Sequence, residues 1–399
     1  MPFPSNSTPF RGGSAALLAA VLASLTGRQE SGTAPAAAAP TSFGQAALGR
    51  RLFFDEGLSE PPGQSCASCH DPTQAFTDPD WAVPTSEGVH PGRFGERNTP
   101  TALYAAFSPE FHYDPSEGLW VGGQFLDGRA ATLEEQAMGP FLNPLEMANP
   151  DVEAVVEKLR SAPYAEEFEA VFGPGALDAP ERAFQFMAAA IAAFERTSEF
   201  APFSSKYDAW LRGEAVLTAQ ELRGLAVFER PDKGNCAACH PSRPGPDGTP
   251  PLFTDFTYDN LGVPRNPGNP FYENAGGLNP QGPEFVDEGL ARNLRQRLEA
   301  GERLPEGVSP EAERGKFKVP TLRNVAVTGP YMHNGVFTTL RQVVQFYNTR
   351  DLHPERWGPP EVPENVNFDE LGALGLSEQE VDDLVAFLHT LTDGFDPYQ

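Results

Sequence analysis

The sequence predicts a mainly α-helical chain built as two tandem halves of one plan, joined and elaborated by long ordered loops. Three observations predict it. A helical stretch, a short loop and a Cys-x-x-Cys-His motif follow one another twice, ending at Cys66-Ala67-Ser68-Cys69-His70 and again at Cys236-Ala237-Ala238-Cys239-His240. The clearly periodic segments have the helical repeat, and no convincing strand run appears. The 399 residues include 38 glycines and 41 prolines. That is loop-rich, yet below the share that marks a disordered chain, about 25–30%.

The chain begins with a stretch that reads as an export signal. Arg11 is the one early charge, and residues 15–25 are an unbroken run of apolar and small residues. The run is too short to cross a membrane, which takes about 18 residues or more. It suits the apolar core of a secretory signal. Arg28 stands where a lipoprotein would carry its lipidated cysteine, and residues 31–41 form an Ala/Pro linker. Residues 1–40 are therefore expected to be signal and linker. The protein is expected in the periplasm or cell envelope, with no membrane span.

Residues 43–54 read as a helix with Leu48, Leu52 and Phe53 on one face. A loop at Pro61-Pro62-Gly63 leads to the first cysteine motif. Thr132 with Glu135 reads as a capping box heading another helix. Residues 151–160 and 180–196 are amphipathic, the second with Phe184, Met187, Ala188, Ile191 and Phe194 inward. Residues 204–213 lead into the second half. There Thr218 with Glu221 caps a helix whose expected apolar face is Leu222, Leu225, Ala226 and Phe228, and Cys236 follows a short loop. Residues 241–283, rich in Pro, Gly and Asn, are expected to be a long ordered or semi-ordered loop. Ser377 with Glu380 heads a last helix through Val381, Leu384, Val385 and Leu388, expected to pack on the first helix of its half.

Cys-x-x-Cys-His is the attachment pattern of c-type haem. Both thiols add to the two vinyl groups of one porphyrin, so they sit about one helical turn apart. The histidine that follows lies beneath the iron. His70 and His240 are thus the expected axial ligands of two irons, and Cys66, Cys69, Cys236 and Cys239 the covalent anchors. These four are the only cysteines in the chain. A zinc ribbon would have its pairs about 15–20 residues apart rather than about 170, and here each pair has its own histidine. Two disulfides are the other alternative in an oxidising compartment. With haem, the repeated order of helix, loop and motif becomes a duplicated cytochrome c-like domain, expected over residues 41–205 and 206–399.

Net charge is −26, from 55 acidic and 29 basic residues. Such a surface disfavours nucleic acid and anionic membranes as partners. It suits a cationic electron donor, although a solvated acidic surface is the plainer reading.

Beside the cysteine motifs stand Arg97-Asn98-Thr99-Pro100-Thr101, Asp127-Gly128-Arg129-Ala130, Gly139-Pro140 and Asn143-Pro144-Leu145-Glu146-Met147. Later come Val319-Pro320-Thr321-Leu322-Arg323-Asn324 and Pro330-Tyr331-Met332-His333-Asn334-Gly335. Through these the chain, over about residues 43–395, resembles the bacterial di-haem cytochrome c peroxidases, and more closely their MauG-type branch.

The resemblance implies that the amino-terminal haem is the peroxide site, with a glutamine and a glutamate ten residues apart over the iron. Gln136 and Glu146 match them. A carboxyl there suits the proton shift that O–O cleavage requires. Outside this motif, Glu146 would read as a capping or pairing residue. His90 stands where ordinary peroxidases carry a displaceable distal ligand to the first iron, whereas MauG-type enzymes leave that iron open. It reads either as that ligand or as a loop histidine beside Pro91.

At the second haem, ordinary peroxidases place a methionine seventeen residues after the proline matching Pro330. Here that residue is Tyr347, as in the MauG-type branch. A phenolate favours ferric and higher states, whereas methionine raises the potential. Read from the residues alone, Tyr347 is a core tyrosine on a helix with Val343 and Phe346. Met332, the rival ligand, is out of register. The family's tryptophan before Asp-Gly-Arg is Leu126 here, and Trp120 is the nearest substitute for that relay. The resemblance also implies a calcium ion held by Asn98 and the carbonyls of Thr328 and Pro330, oxygen donors suited to a hard cation.

The chain is therefore expected to be an exported enzyme that takes hydrogen peroxide at the haem on His70. Its electrons would come from a small donor, a c-type cytochrome or cupredoxin, or from a protein substrate. The alternative is a di-haem electron carrier without catalysis.

Overall fold

The computed structural model describes residues 42–274 and 277–396. The signal and linker expected in residues 1–40 lie outside the described residues.

The first half contains α1 (Ser42–Phe53), the single turn α2 (Cys66–Cys69), α3 (Leu133–Leu142), α4 (Val152–Ser161), α5 (Ala165–Phe172) and α6 (Pro180–Glu195). The second contains α7 (Lys206–Leu211), α8 (Ala219–Glu229), α9 (Leu290–Glu299), α10 (Leu340–Thr349), α11 (Pro354–Trp357) and α12 (Glu378–His389). Strands among the described residues are confined to two short antiparallel pairs. β1 (His112–Asp114) pairs with β2 (Leu119–Val121), with Tyr113 opposite Trp120. β3 (Tyr258–Asp259) pairs with β4 (Phe317–Lys318), with Tyr258 opposite Lys318. The protein is thus mainly α.

Two large buried apolar clusters form. One runs from Leu48 to Phe200 and includes all five inward residues expected of α6. The other runs from Tyr207 to Leu391 and joins α7, α8, α10 and α12. In each, the helix before a cysteine motif crosses a later helix through a glycine. A Cβ at Gly49 of α1 would lie 1.8 Å from the Ala190 carbonyl oxygen of α6. A Cβ at Gly224 of α8 would lie 2.0 Å from the Asp383 carbonyl oxygen of α12.

That second crossing corrects the expected face of α8. Gly224, Leu225, Val227 and Phe228 are buried, whereas Leu222 and Ala226 are exposed. Gly224 must meet α12, and this turns Leu222 outward. The capping boxes at Thr218–Glu221 and Ser377–Glu380 are reciprocal. At α3, Thr132 accepts from the Glu135 amide, but the Glu135 carboxylate accepts from Ala131 N at 2.7 Å, so that box is not closed.

Gly224→Ala would drive a methyl into a backbone carbonyl that no rotamer can clear. Overpacking of this kind costs about 1–3 kcal/mol. The variant is expected to unfold at lower denaturant concentration, and an unchanged midpoint would refute the close crossing.

Candidate active site

The histidines of the two cysteine motifs are anchored in the same way, although the turns that carry the cysteines differ. α2 is capped by Ser65, whose side chain and that of Ser68 close a capping box. His70 follows, and its Nδ1 lies 3.0 Å from the Phe76 carbonyl oxygen. In the second half His240 Nδ1 lies 2.7 Å from the Phe253 carbonyl oxygen. Phe76 and Phe253 both take left-handed backbone, with φ of 54° and 53°. The next residues, Thr77 and Thr254, donate to the carbonyls of Thr99 and Val319 at 2.8 and 2.7 Å. Two positions beyond those carbonyls, Thr101 and Thr321 donate back to Ala75 and Leu252 at 2.5 and 2.6 Å.

A ring nitrogen committed to a backbone carbonyl leaves Nε2 as the lone-pair nitrogen. Burial lowers both imidazole pKa values, which favours the neutral, ligating form. All four cysteines are unpaired, and burial pushes each thiol up. Cys66, Cys69 and His70 line the same cavity of about 750 Å³ as Cys236, Cys239 and His240. Among the described residues no three His, Cys, Asp or Glu side chains converge on a metal-sized site. That disfavours a shared zinc centre. Paired thiols, a pinned histidine and a roomy apolar cavity fit a thioether-bound porphyrin in each half.

The distal candidates sort between the halves. Gln136, on α3, and Glu146, in the turn after it, line the cavity. Glu146 adds to the upward push on Cys66 and Cys69, so it shares their compartment. Its carboxyl accepts from Asn143 Nδ2 at 2.7 Å. Burial raises its pKa, against the opposing pull of Arg129 and Asn143. A second, smaller cavity of about 330 Å³ abuts it, lined by Phe125, Arg129, Glu135 and Gln296 among others. Tyr347, on α10, also lines the main cavity. Burial pushes its phenol up, and Cys236 and Cys239 add to the shift, which sets it in the second compartment. Met332 lines the cavity as well.

Asn98, Thr328 and Pro330 all line this cavity. Asn98 donates its amide nitrogen to the Pro84 carbonyl at 3.1 Å. His90 does not line the cavity; it begins the turn in which Arg93 N donates to its carbonyl at 3.1 Å. Trp120 is also elsewhere, stacked on Phe111 at 4.7 Å in a cluster with Tyr258 and Leu290. Leu126 does line the cavity, and its carbonyl accepts from Lys318 N at 2.8 Å.

Buried ion pairs brace this wall. Arg97 bonds Asp287 through two nitrogens at 2.6 and 2.8 Å and meets Asp127 at 2.7 Å. Arg323 bonds Asp208 through two nitrogens at 2.9 and 2.8 Å. Sequence reasoning missed two further cavity residues, Glu195 and Lys318. Burial lowers the Lys318 pKa to about 8, and its ammonium donates to the Gly123 carbonyl. Neither residue carries a local signal, because charged residues at the end of a helix or strand read as surface.

The family described as di-haem cytochrome c peroxidase matches residues 44–216. The methylamine utilization protein MauG of Paracoccus denitrificans is 46% identical over 371 residues, covering 89% of this chain and 90% of that protein. The chain belongs to the di-haem cytochrome c peroxidase family. The cytochrome c551 peroxidase of Nitrosomonas europaea is 33% identical over 362 residues, covering 89% of this chain and 82% of its own length. The crystal structure of the diheme peroxidase BthA from Burkholderia thailandensis superposes with a TM-score of 0.77 at 41% identity, covering 88% of this chain and 86% of that one. Within the di-haem peroxidases the chain falls in the MauG-like branch. It is a peroxidase-type oxidoreductase, and membership implies two haem c groups.

Each cysteine pair is expected to hold one porphyrin. Denatured, acid-acetone-washed protein should retain two haems per chain by pyridine haemochrome absorbance. One should remain when Cys236 and Cys239 are both replaced by alanine. Protein stripped bare by the wash would not carry thioether-bound haem.

Proposed function

We propose that this chain is an exported di-haem c-type peroxidase of two tandem cytochrome c-like domains, residues 41–205 and 206–399. It reduces hydrogen peroxide at the haem held by His70. Electrons come from a small c-type cytochrome or cupredoxin, or from a protein substrate oxidised in the MauG-like manner. One observation supports the reading: a single cavity is lined by both cysteine–histidine sites and by a different candidate set for each. The first has Gln136 and Glu146; the second has Tyr347.

The haem, when bound, supplies the redox-active iron against which the O–O bond is broken. The protein's part follows from its own groups. His70 and His240 present Nε2 because Nδ1 is held by a carbonyl. Glu146 sits in a dry pocket that raises its pKa. Its carboxyl therefore keeps a proton more readily than an exposed glutamate would. Its work is to move a proton from one peroxide oxygen to the other, while the Gln136 amide orients the molecule. Asn143 holds the carboxyl in place. Tyr347 would hold the second iron through its phenol oxygen, and a phenol that burial keeps from ionising alone could do so against a ferric cation. His90 lies outside the cavity lining, which supports a first haem site without a second histidine. One calcium ion on Asn98, Thr328 and Pro330 would fix the loop between the two sites with oxygen donors. No helix of the described residues is long and apolar enough to cross a membrane.

Two variants test the assignment. Glu146→Gln is expected to lower peroxide turnover by about 10²–10⁴-fold, the usual worth of a positioned acid–base group, with both haems retained. Wild-type turnover would remove Glu146 from the chemistry. Tyr347→Phe is expected to alter the absorption and raise the potential of the second haem alone. If neither haem responds, the tyrosine is not a ligand. Two low-spin haems inert to peroxide in the wild type would leave only an electron carrier.

A further inference from the structure

Glu195 is the last residue of α6 and is only 7% exposed. It lines the cavity of the first cysteine pair, one turn after Ile191, which also lines it. Among the described residues its Oε2 has no hydrogen-bond partner. The adjacent cation is already engaged: Arg196 holds Glu134 of α3 through two nitrogens at 2.6 and 3.1 Å. On α1, Arg50 pairs with Glu199 and lies over the Phe54 and Phe194 rings. From α2, Cys66 is the near titratable group, and Glu195 is the charged residue that acts on it most strongly.

Three physical terms keep this carboxyl neutral. Burial without a partner disfavours the anion. The carboxyl stands at a helix C-terminus, where the negative end of the dipole opposes a second negative charge. Glu134 of α3 adds the same sign, while Arg196 pulls the other way with the larger effect of the two, so that burial decides the direction. Together they push Glu195 up to about 8, burial being the largest cause. A structural glutamate would have donors on both oxygens; Oε2 of this one has none among the described residues, its neighbouring cation is paired with Glu134, and the residue lines the cofactor space.

We infer that Glu195 is a second proton-holding carboxyl of the first haem compartment, protonated when that haem is reduced and ionised when it is oxidised. This rests on the reading that the first cysteine pair holds a haem. Oxidation removes one electron and leaves one more positive charge in a poorly solvated cavity. Loss of the Glu195 proton offsets that charge within the same compartment. Hydrogen peroxide takes two electrons and two protons to become two waters: one electron comes from this haem and the other from the donor by way of the second haem, while one proton is released by Glu195 through solvent and the other is taken from solvent directly. Re-reduction by the donor restores the proton from solvent. Glu146 moves a proton between peroxide oxygens; Glu195 stores one and tunes the potential, so its role is positioning of charge rather than contact with the reacting oxygens.

The test is a spectroelectrochemical titration of the first haem in the holoprotein across neutral and alkaline pH. A positive charge lowers the carboxyl's pKa, so the potential of the wild type is expected to fall with rising pH near 8, by at most one proton per electron, and to level off on either side. Glu195→Gln keeps the shape but cannot ionise. It is expected to flatten that region while the haem content and the second haem's potential stay at wild-type values. Glu146→Gln should keep the slope. A slope that survives Glu195→Gln, or vanishes in Glu146→Gln instead, overturns the inference while leaving the peroxidase reading intact. Protein without covalent haem overturns both.

Discussion

Each half of this molecule depends on one hydrogen bond, from a buried imidazole to the carbonyl of a phenylalanine. That bond aims the histidine, and it needs an awkward backbone. Phe76 and Phe253 sit in the left-handed region, where a bulky residue costs about 1–3 kcal/mol unless its surroundings over-determine it. The surroundings here are aromatic. Phe76 lies 4.3 Å from Phe200 and 6.0 Å from Phe53. Phe253 is packed edge-on by Tyr207, Phe228 and Phe387. The apolar cores therefore do more than hold the fold together. They fix the two carbonyls against which a metal ligand is set.

A large internal cavity imposes a second constraint. Polar groups around it cannot rely on water, so charges are matched within the protein. Arg97 serves Asp127 and Asp287, and Arg323 serves Asp208, with both arginines nearly inaccessible. Removing one partner of such a pair typically costs about 3–5 kcal/mol, because a buried charge is left alone. Arg97, Asp127 and Arg323 belong to the very motifs that carry the family resemblance, whereas their partners Asp208 and Asp287 lie outside them. Much of what makes the motifs recognisable is thus bracing of the cavity wall. Against that matched background an unmatched carboxyl such as Glu195 stands out.

Several features were legible in the sequence because they are local. The cysteine motifs, the Thr218 and Ser377 caps and the inward face of α6 depend on spacing within a few residues. The face of α8 was misjudged because Gly224 counts as neither apolar nor polar in a periodicity argument, yet it sets the helix rotation through contact with α12. Glu135 was assigned to its own cap and instead reaches one residue further back. Gln136, Glu146 and Tyr347 were found only through their register in larger motifs; nothing in their immediate neighbours marks them. His90 and Trp120 were left with two readings each, and both lie outside the cavity lining. Burial of Glu195 and Lys318 is a tertiary property, set by elements distant in the chain.

The cavity lining carries a leucine where the family resemblance implies a redox-active tryptophan. Leu126 occupies the place before Asp127, and its carbonyl is tied to Lys318 of β4. Leucine cannot be oxidised, and Trp120 is committed to a separate aromatic cluster. Under the proposed function, a charge passing between the compartments meets no indole at this position. Its rate then depends on how rigidly the cavity wall holds the two sites apart. That rigidity has visible sources. β3 and β4 pair beneath it, Tyr258 donates to the Gly122 carbonyl at 2.5 Å, and Arg97 joins Asp127 to Asp287 across it. A wall built from matched charges and backbone pairs can fix a distance more firmly than a single packed indole, and here that firmness stands in place of a relay.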